Sequence, residues 1–247
     1  MIDEIEKITS FKGIYVASEA ALYLTATLKV DVKRAIDRNI AIVYPIYPIN
    51  SRNLINWIRV GLASPELRDV RGHDLLLSFE DLISMRVISI LRSIGVSWGK
   101  IHKAEVWLRE KTGYPRPFAI ERVWTETEDV FAEFHDTFVV ASRYGQLSFP
   151  HLLGQYLYPV EDLLFKPVDS LSVADSWKPH EDILINPRIQ FGEPCIKGTR
   201  IRTRIIKEYI DGGDKIPYLM RVFELTEQQI DHALEWENRL RTAAQNN

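Results

Sequence analysis

The sequence predicts an α+β chain, mainly α, and three observations carry that reading. Apolar residues recur at helical spacing from Phe79 to Ile94. Aromatic and β-branched residues crowd the runs Phe118 to Val123 and Val130 to Ala141, a composition that favours strands. After Ile183, short helical runs alternate with glycine turns and capping residues, as in a three-helix unit. The expected organisation is a head over residues 1–116, a β-rich middle segment at 117–165, a linker at 166–182 and a C-terminal three-helix unit at 183–247.

Each element follows from local chemistry. Ser18 is a candidate N-cap for a first helix that runs through Leu24, and Pro45 with Pro48 breaks any regular element before the next. Asn50 or Ser51 can cap a helix from Arg52 to Val60, ended by Gly61, with Leu54, Ile55 and Ile58 as its apolar stripe. Residues 65–77 read as two short runs around Gly72, a hairpin. Ser78 and Asp81 have the form of a capping box for the next helix, which Gly95 ends. Ser97 caps a further helix from Trp98 to about Thr112, with Ile101, Ala104 and Leu108 on one side. In the middle segment His135 and Asp136 interrupt the second aromatic run as a hairpin turn would. The linker reading rests on two prolines and many Ser and Asp residues between Lys166 and Asp182. In the last unit a helix from about Thr203 to Ile210 ends at Asp211-Gly212-Gly213, Asp214 caps a second to Phe223, and Thr226 with Gln229 caps a third from Glu227 to about Leu240.

Composition narrows the function classes. Lys and Arg total 31 against 34 Asp and Glu, a net charge of −3 over 247 residues, with 46% apolar and 26% charged residues. These values exclude a disordered tail, a collagen-like repeat and a disulfide scaffold. A single cysteine, Cys195, makes no internal disulfide and no Cys-based zinc cage, which suits a reducing compartment. The longest apolar run, Ile40 to Ile49, is broken by Pro45 and Pro48 and is too short to span a bilayer. The acidic start, Met1 to Lys7, lacks the pattern of a secretory signal, so the expected location is the cytoplasm. The net charge hides a polarity: residues 1–116 sum to +4 and residues 117–247 to −7. Sign asymmetry of this kind hints at different partners for the two halves.

Two resemblances emerge from particular residues. The run Gly192-Glu193-Pro194-Cys195-Ile196-Lys197-Gly198-Thr199-Arg200-Ile201 resembles the G-x-P-x-I-x-G-T-R-I signature of a small domain-of-unknown-function family whose members include antitoxin components. Gly212-Gly213 and Leu225 to Ile230 match the same pattern. The resemblance implies a three-helix, homeodomain-like module, often encoded beside toxins with a PIN-type or PIN-like nuclease fold. In the head, the arginine-bearing helix, the glycine-turn wing, then Ser78 to Leu82 and Ile90 to Ser97, resemble the winged helix-turn-helix of MerR-type regulators. The stretch between Leu24 and Asn50 is longer than in those proteins, and the long coiled coil and effector cysteines are missing, so metal sensing does not transfer. Together the two parts resemble a long VapB-type antitoxin.

The residues themselves support chemistry of two kinds. Ser51, Arg52, Asn53, Asn56 and Arg59 suit a recognition helix, because Arg reads guanine and Asn reads adenine bidentately while Ser fixes phosphates. Arg68 and Arg71 on the hairpin would reach the backbone or minor groove alongside. A solvated polar helix face has the same composition. Lys197, Arg200, Arg202, Arg204 and Lys207 form the densest basic cluster, with no acid between them. They suit phosphate contact or cover of an acidic nuclease site; for Arg200 itself a local role, bonding carbonyls and holding the Gly198-Thr199 turn, is the favoured one. Phe131, Phe134, Phe138, Tyr144, Phe149, Tyr156 and Tyr158 offer either core or an interface with a dimer mate or toxin. The six histidines show no metal-ligand spacing and no nucleophile elbow or phosphate loop occurs, so neither a cofactor nor catalysis is expected.

The expected function is therefore an antitoxin of a type II toxin–antitoxin pair. It would bind its own operator, duplex DNA, as a homodimer and neutralise a PIN-type ribonuclease. A stand-alone MerR-like regulator and a protein-interaction adaptor are the alternatives.

Overall fold

The computed structural model describes residues 13–37, 49–60, 67–68, 75–93, 96–125, 139–142, 145–148 and 162–245. The fold is mixed α+β and mainly α. Strand β1 (Tyr15–Val16) leads directly into the long helix α1 (Ala17–Asp37). That helix opens a residue before Ser18 and runs far beyond Leu24, so Ser18 lies inside it rather than at its cap. The chain returns at Ile49, which is pinned to α1 by exchange with the Thr25 hydroxyl: Oγ1 donates to the Ile49 carbonyl at 3.1 Å and accepts from its amide at 2.9 Å. Helix α2 (Ser51–Arg59) follows. Strands β2 (Leu67–Arg68) and β3 (Leu75–Leu77) form the expected hairpin, with Leu67 opposite Leu76, and β1 adds to its other side in the order β1-β3-β2.

Helix α3 (Phe79–Ser93) begins at a reciprocal capping box. Asp81 accepts from the Ser78 amide at 2.9 Å, and Ser78 Oγ accepts from the Asp81 amide at 3.1 Å. Helix α4 (Trp98–Thr112) buries Ile101, Ala104 and Leu108 and ends at Gly113, whose φ of 66° suits the left-handed cap. The aromatic run after Pro117 is not a strand. Pro117–Ala119 form a 3-10 turn and Glu121–Thr125 the short helix α5, with Phe118, Ile120, Val123 and Trp124 all buried. Apolar density alone could not tell a buried turn from a buried strand. Strands β4 (Val139–Ser142) and β5 (Gly145–Ser148) pair as a hairpin with Ser142 opposite Gly145. The turn expected at His135-Asp136 lies outside the described residues, as do the aromatic side chains from Phe131 to Tyr158.

The expected linker is a correction. Residues 163–180 form strands β6 (Leu163–Val168) and β7 (Leu171–His180), the larger part of a four-stranded antiparallel sheet. Its prolines are tolerated for position-specific reasons. Pro167 lies on β6, the edge strand, and Pro179 falls where the β7–β8 register shifts between Trp177 and His180. Strand β8 (Ile183–Ile185) and the two-residue β9 (Cys195–Ile196) complete the sheet. Helices α6 (Thr203–Asp211), α7 (Ile216–Phe223) and α8 (Glu227–Gln245) follow. Lys215, not Asp214, is the cap residue of α7, and α8 continues five residues past Leu240. The Thr226–Gln229 capping box forms as read.

Head and C-terminal unit share one core. Arg86 of α3 grips Asp162 with two nitrogens at 3.2 and 2.8 Å, and its guanidinium lies 4.9 Å from the Trp177 ring centre. Ile120 makes an antiparallel bridge to Val173 on β7. Tyr23 of α1 packs against Trp236 of α8, with ring centres 6.3 Å apart.

Candidate nucleic-acid interface and basic turn

Helix α2 is held from three sides. Asn50 is its cap: the side-chain oxygen accepts from the Asn53 amide at 2.9 Å, which occupies one of the amides left open at a helix start. Leu54 and Trp57 are its buried residues, while Ile55 and Ile58 are only half-buried, so the stripe turns toward Trp57 compared with the expected one. Trp57 in turn packs on Trp98, the first residue of α4, at 5.5 Å between ring centres, and Arg92 lies 4.3 Å over the Trp98 ring. Burying that side sends Arg52, Asn56 and Arg59 outward, at spacings of four and three residues, as one exposed polar stripe. Ser51 and Asn53 are half-buried at its margin. Arg68 lies on β2, where its backbone pairs with Leu75; Arg71 lies outside the described residues.

The second group surrounds the signature run. Tyr15 of β1, fully buried, donates its hydroxyl to the Gly192 carbonyl at 3.1 Å. Gly192 has a φ of 90°, and a Cβ there would sit 2.1 Å from the Tyr15 hydroxyl oxygen. The Pro194 carbonyl accepts from the Thr203 amide at 3.0 Å, which sets the start of α6. Gly198, at a φ of 82°, makes the turn after β9. Thr199 holds that turn, since its hydroxyl donates to the Ile196 carbonyl at 2.8 Å and accepts from the Ile201 amide at 3.0 Å. The local role weighed for Arg200 thus falls to Thr199. Most of the signature is a folding element, and Lys197 and Arg200 are its exposed cations.

The basic cluster is partly neutralised by acids outside its own span. Glu193 accepts from Arg204 at 2.9 Å and lies 3.4 Å from Arg202, whose guanidinium also bonds Gln190 at 2.9 Å. Arg204 also reaches Glu208 at 3.4 Å, and Lys207 pairs with Asp211. Both of the last pairs have i,i+4 spacing and were readable from sequence. Lys197 and Arg200 have no ion pair among the described residues.

Sequence reasoning missed a histidine pair. His180 and His232 stand 5.3 Å apart; His180 meets Glu235 at 3.1 Å and His232 meets Asp182 at 2.9 Å. A separation of 52 positions gives no motif to read. Among the described residues, no group of three or more His, Cys, Asp or Glu is arranged to hold a metal. Cys195 is buried, and desolvation, with Glu193 nearby, pushes its thiol up to about 11, which opposes thiolate formation. No helix among the described residues is long and apolar enough to cross a membrane.

Comparisons with known proteins add a family match within the C-terminal unit and a similar fold for the chain. No curated protein matches the sequence. The crystal structure of Rv2018 from Mycobacterium tuberculosis is similar at a TM-score of 0.60 and 18% identity, over 89% of this chain and 96% of that one. Residues 183–236, which carry the glycine turns and the first part of α8, match the family described as protein of unknown function DUF433.

Proposed function

We propose that this chain is the antitoxin of a type II toxin–antitoxin pair, binding its own operator through α2 and the β2–β3 hairpin and neutralising a PIN-type ribonuclease through its C-terminal unit. The observation that carries the DNA half is the exposed stripe Arg52, Asn56 and Arg59 on a capped helix. Arg and Asn are the side chains suited to bidentate readout of guanine and adenine, and the resemblance to MerR-type regulators gives the hairpin the role of the wing. The toxin half rests on the signature resemblance, and the ion pairs within the chain support a choice among its basic residues. Of Lys197, Arg200, Arg202, Arg204 and Lys207, the last three face carboxylates of this chain, so Lys197 and Arg200 are the cations we assign to an acidic partner.

Co-expression with the neighbouring gene tests the whole reading. Rescue from growth arrest and co-purification of a nuclease are expected; a harmless neighbour that does not co-purify overturns the antitoxin assignment. The stand-alone regulator shares the DNA half and would then remain.

A further inference from the structure

Phe191 is the most exposed large apolar side chain among the described residues, at 63%, and its backbone is left-handed, with φ 60° and ψ 19°. That conformation carries a strain that glycine would escape, and burial of the ring does not repay it. Its neighbour Gln190, also left-handed, is explained locally: its side-chain amide donates to the Arg200 carbonyl at 3.0 Å, and its oxygen accepts from Arg202 at 2.9 Å. These bonds set Arg200 and Arg202 against the loop that carries Phe191. The Ile14 amide donates to the Phe191 carbonyl at 3.4 Å, which brings the β1 segment alongside. Ile14 and Val16, 44% and 42% exposed, alternate with the buried Tyr15 and so share the outward face of that segment. The charges beside this apolar patch are uneven. Its carboxylates are already engaged: Asp175 accepts from Arg188 at 2.5 Å, Glu193 from Arg204 at 2.9 Å and Glu19 from the Tyr23 hydroxyl at 2.7 Å. Arg202 has only a 3.4 Å contact with Glu193, and Arg200 has no ion pair among the described residues. An apolar centre with surplus cations at its edge complements an apolar pocket rimmed by carboxylates. Aliphatic Ile14 and Val16 offer no ring for a base to stack on, which favours a protein over a single-stranded nucleic acid.

We infer that Phe191 is the apolar anchor this chain inserts into a carboxylate-rimmed pocket of its nuclease partner. Ile14 and Val16 extend the apolar contact, and Arg200 meets the acids at the pocket's edge. Backbone bonds from the Gly192 amide to Ile189 and from the Glu193 amide to Gln190 fix the loop, so little freedom is left to lose on docking. The inference rests on the toxin half of the proposed function and goes beyond it in two respects. The contact is centred on an aromatic side chain rather than on cations alone, and it draws on β1 of the head as well as on the C-terminal unit.

Binding of the full chain to the purified product of the neighbouring gene, measured by biolayer interferometry, tests it. Phe191→Gly is the decisive variant, because glycine suits the left-handed backbone and the folded chain should keep its thermal midpoint. It should raise the dissociation constant by about tenfold or more. Val16→Ser and Arg200→Ala should each raise it by about threefold to tenfold. Val222→Ser, at a similarly exposed apolar position on α7, should leave it unchanged. Affinity that survives Phe191→Gly overturns this inference and leaves the antitoxin assignment standing. A wild type that does not bind this product overturns the toxin half and this inference with it. A Phe191→Gly chain that keeps the protein contact but loses binding to labelled oligouridine reassigns the surface to single-stranded RNA and overturns the anchor as well.

Discussion

Replacing Gly192 with alanine should cost far more than replacing Gly198, although both glycines belong to the same signature. Both have positive φ, 90° and 82°, so each alanine incurs a left-handed backbone cost of about 1–2 kcal/mol. The difference lies in what a methyl group would meet. At Gly198 there is nothing within 4 Å, whereas at Gly192 the new Cβ would lie 2.1 Å from the Tyr15 hydroxyl oxygen and 2.7 Å from its ring carbon. Tyr15 is fully buried and cannot swing into solvent. Overpacking of this kind costs a further ~1–3 kcal/mol. Displacing the ring also breaks the hydrogen bond that ties β1 to the signature loop. Gly192→Ala is therefore expected to destabilise the chain by about 2–5 kcal/mol and Gly198→Ala by about 1–2 kcal/mol. Urea unfolding followed by the fluorescence of the buried Trp177 and Trp236 gives both values from midpoint shifts at constant slope. Equal losses at the two positions, or a Gly192→Ala loss under about 0.5 kcal/mol, would refute the close-approach reasoning.

Three further outcomes follow from buried and half-buried groups. Asp162→Asn leaves the Arg86 guanidinium buried without its carboxylate and should cost about 3–5 kcal/mol in the same unfolding assay; a loss below about 1 kcal/mol would mean that the pair does not join α3 to the sheet. Burial raises the Glu237 carboxyl above its ordinary value, so folding takes up a proton there, and that contribution is lost as pH rises from the unfolded through the folded value. Glu237→Gln should thus gain stability relative to the wild type between about pH 4 and neutrality, and parallel stability–pH curves would contradict it. The buried Cys195 thiol should resist a disulfide reagent in the folded chain at mildly alkaline pH and react fully in urea; rapid reaction of the native protein would place it at the surface.

The readable parts of this fold were those governed by neighbours in sequence. The caps at Asn50, Ser78–Asp81 and Thr226–Gln229 each need residues within three positions, and all three form. The β2–β3 hairpin and the outward face of α2 follow from equally short patterns. Long-range pairing was not readable. Lys166 to Asp182 looked like a linker because prolines and polar residues count against strands on average, and only the sheet order shows Pro167 to be at an edge. The glycine of the signature was recognisable as a pattern, but its cause lies 177 positions away, in Tyr15. The same limit applied to the basic cluster. Its density was evident, while the role of Glu193 in answering Arg202 and Arg204 required the turn to be seen folded.

The central claim is that α2 reads operator DNA. Fluorescence anisotropy with the duplex upstream of the chain's own gene, against a scrambled duplex and across a salt series, tests it most directly. Arg52→Ala is predicted to weaken specific binding by about 1–3 kcal/mol while leaving the scrambled duplex nearly unaffected. Unchanged specific affinity in Arg52→Ala, or a wild-type chain that does not distinguish the two duplexes at any salt concentration, would contradict it.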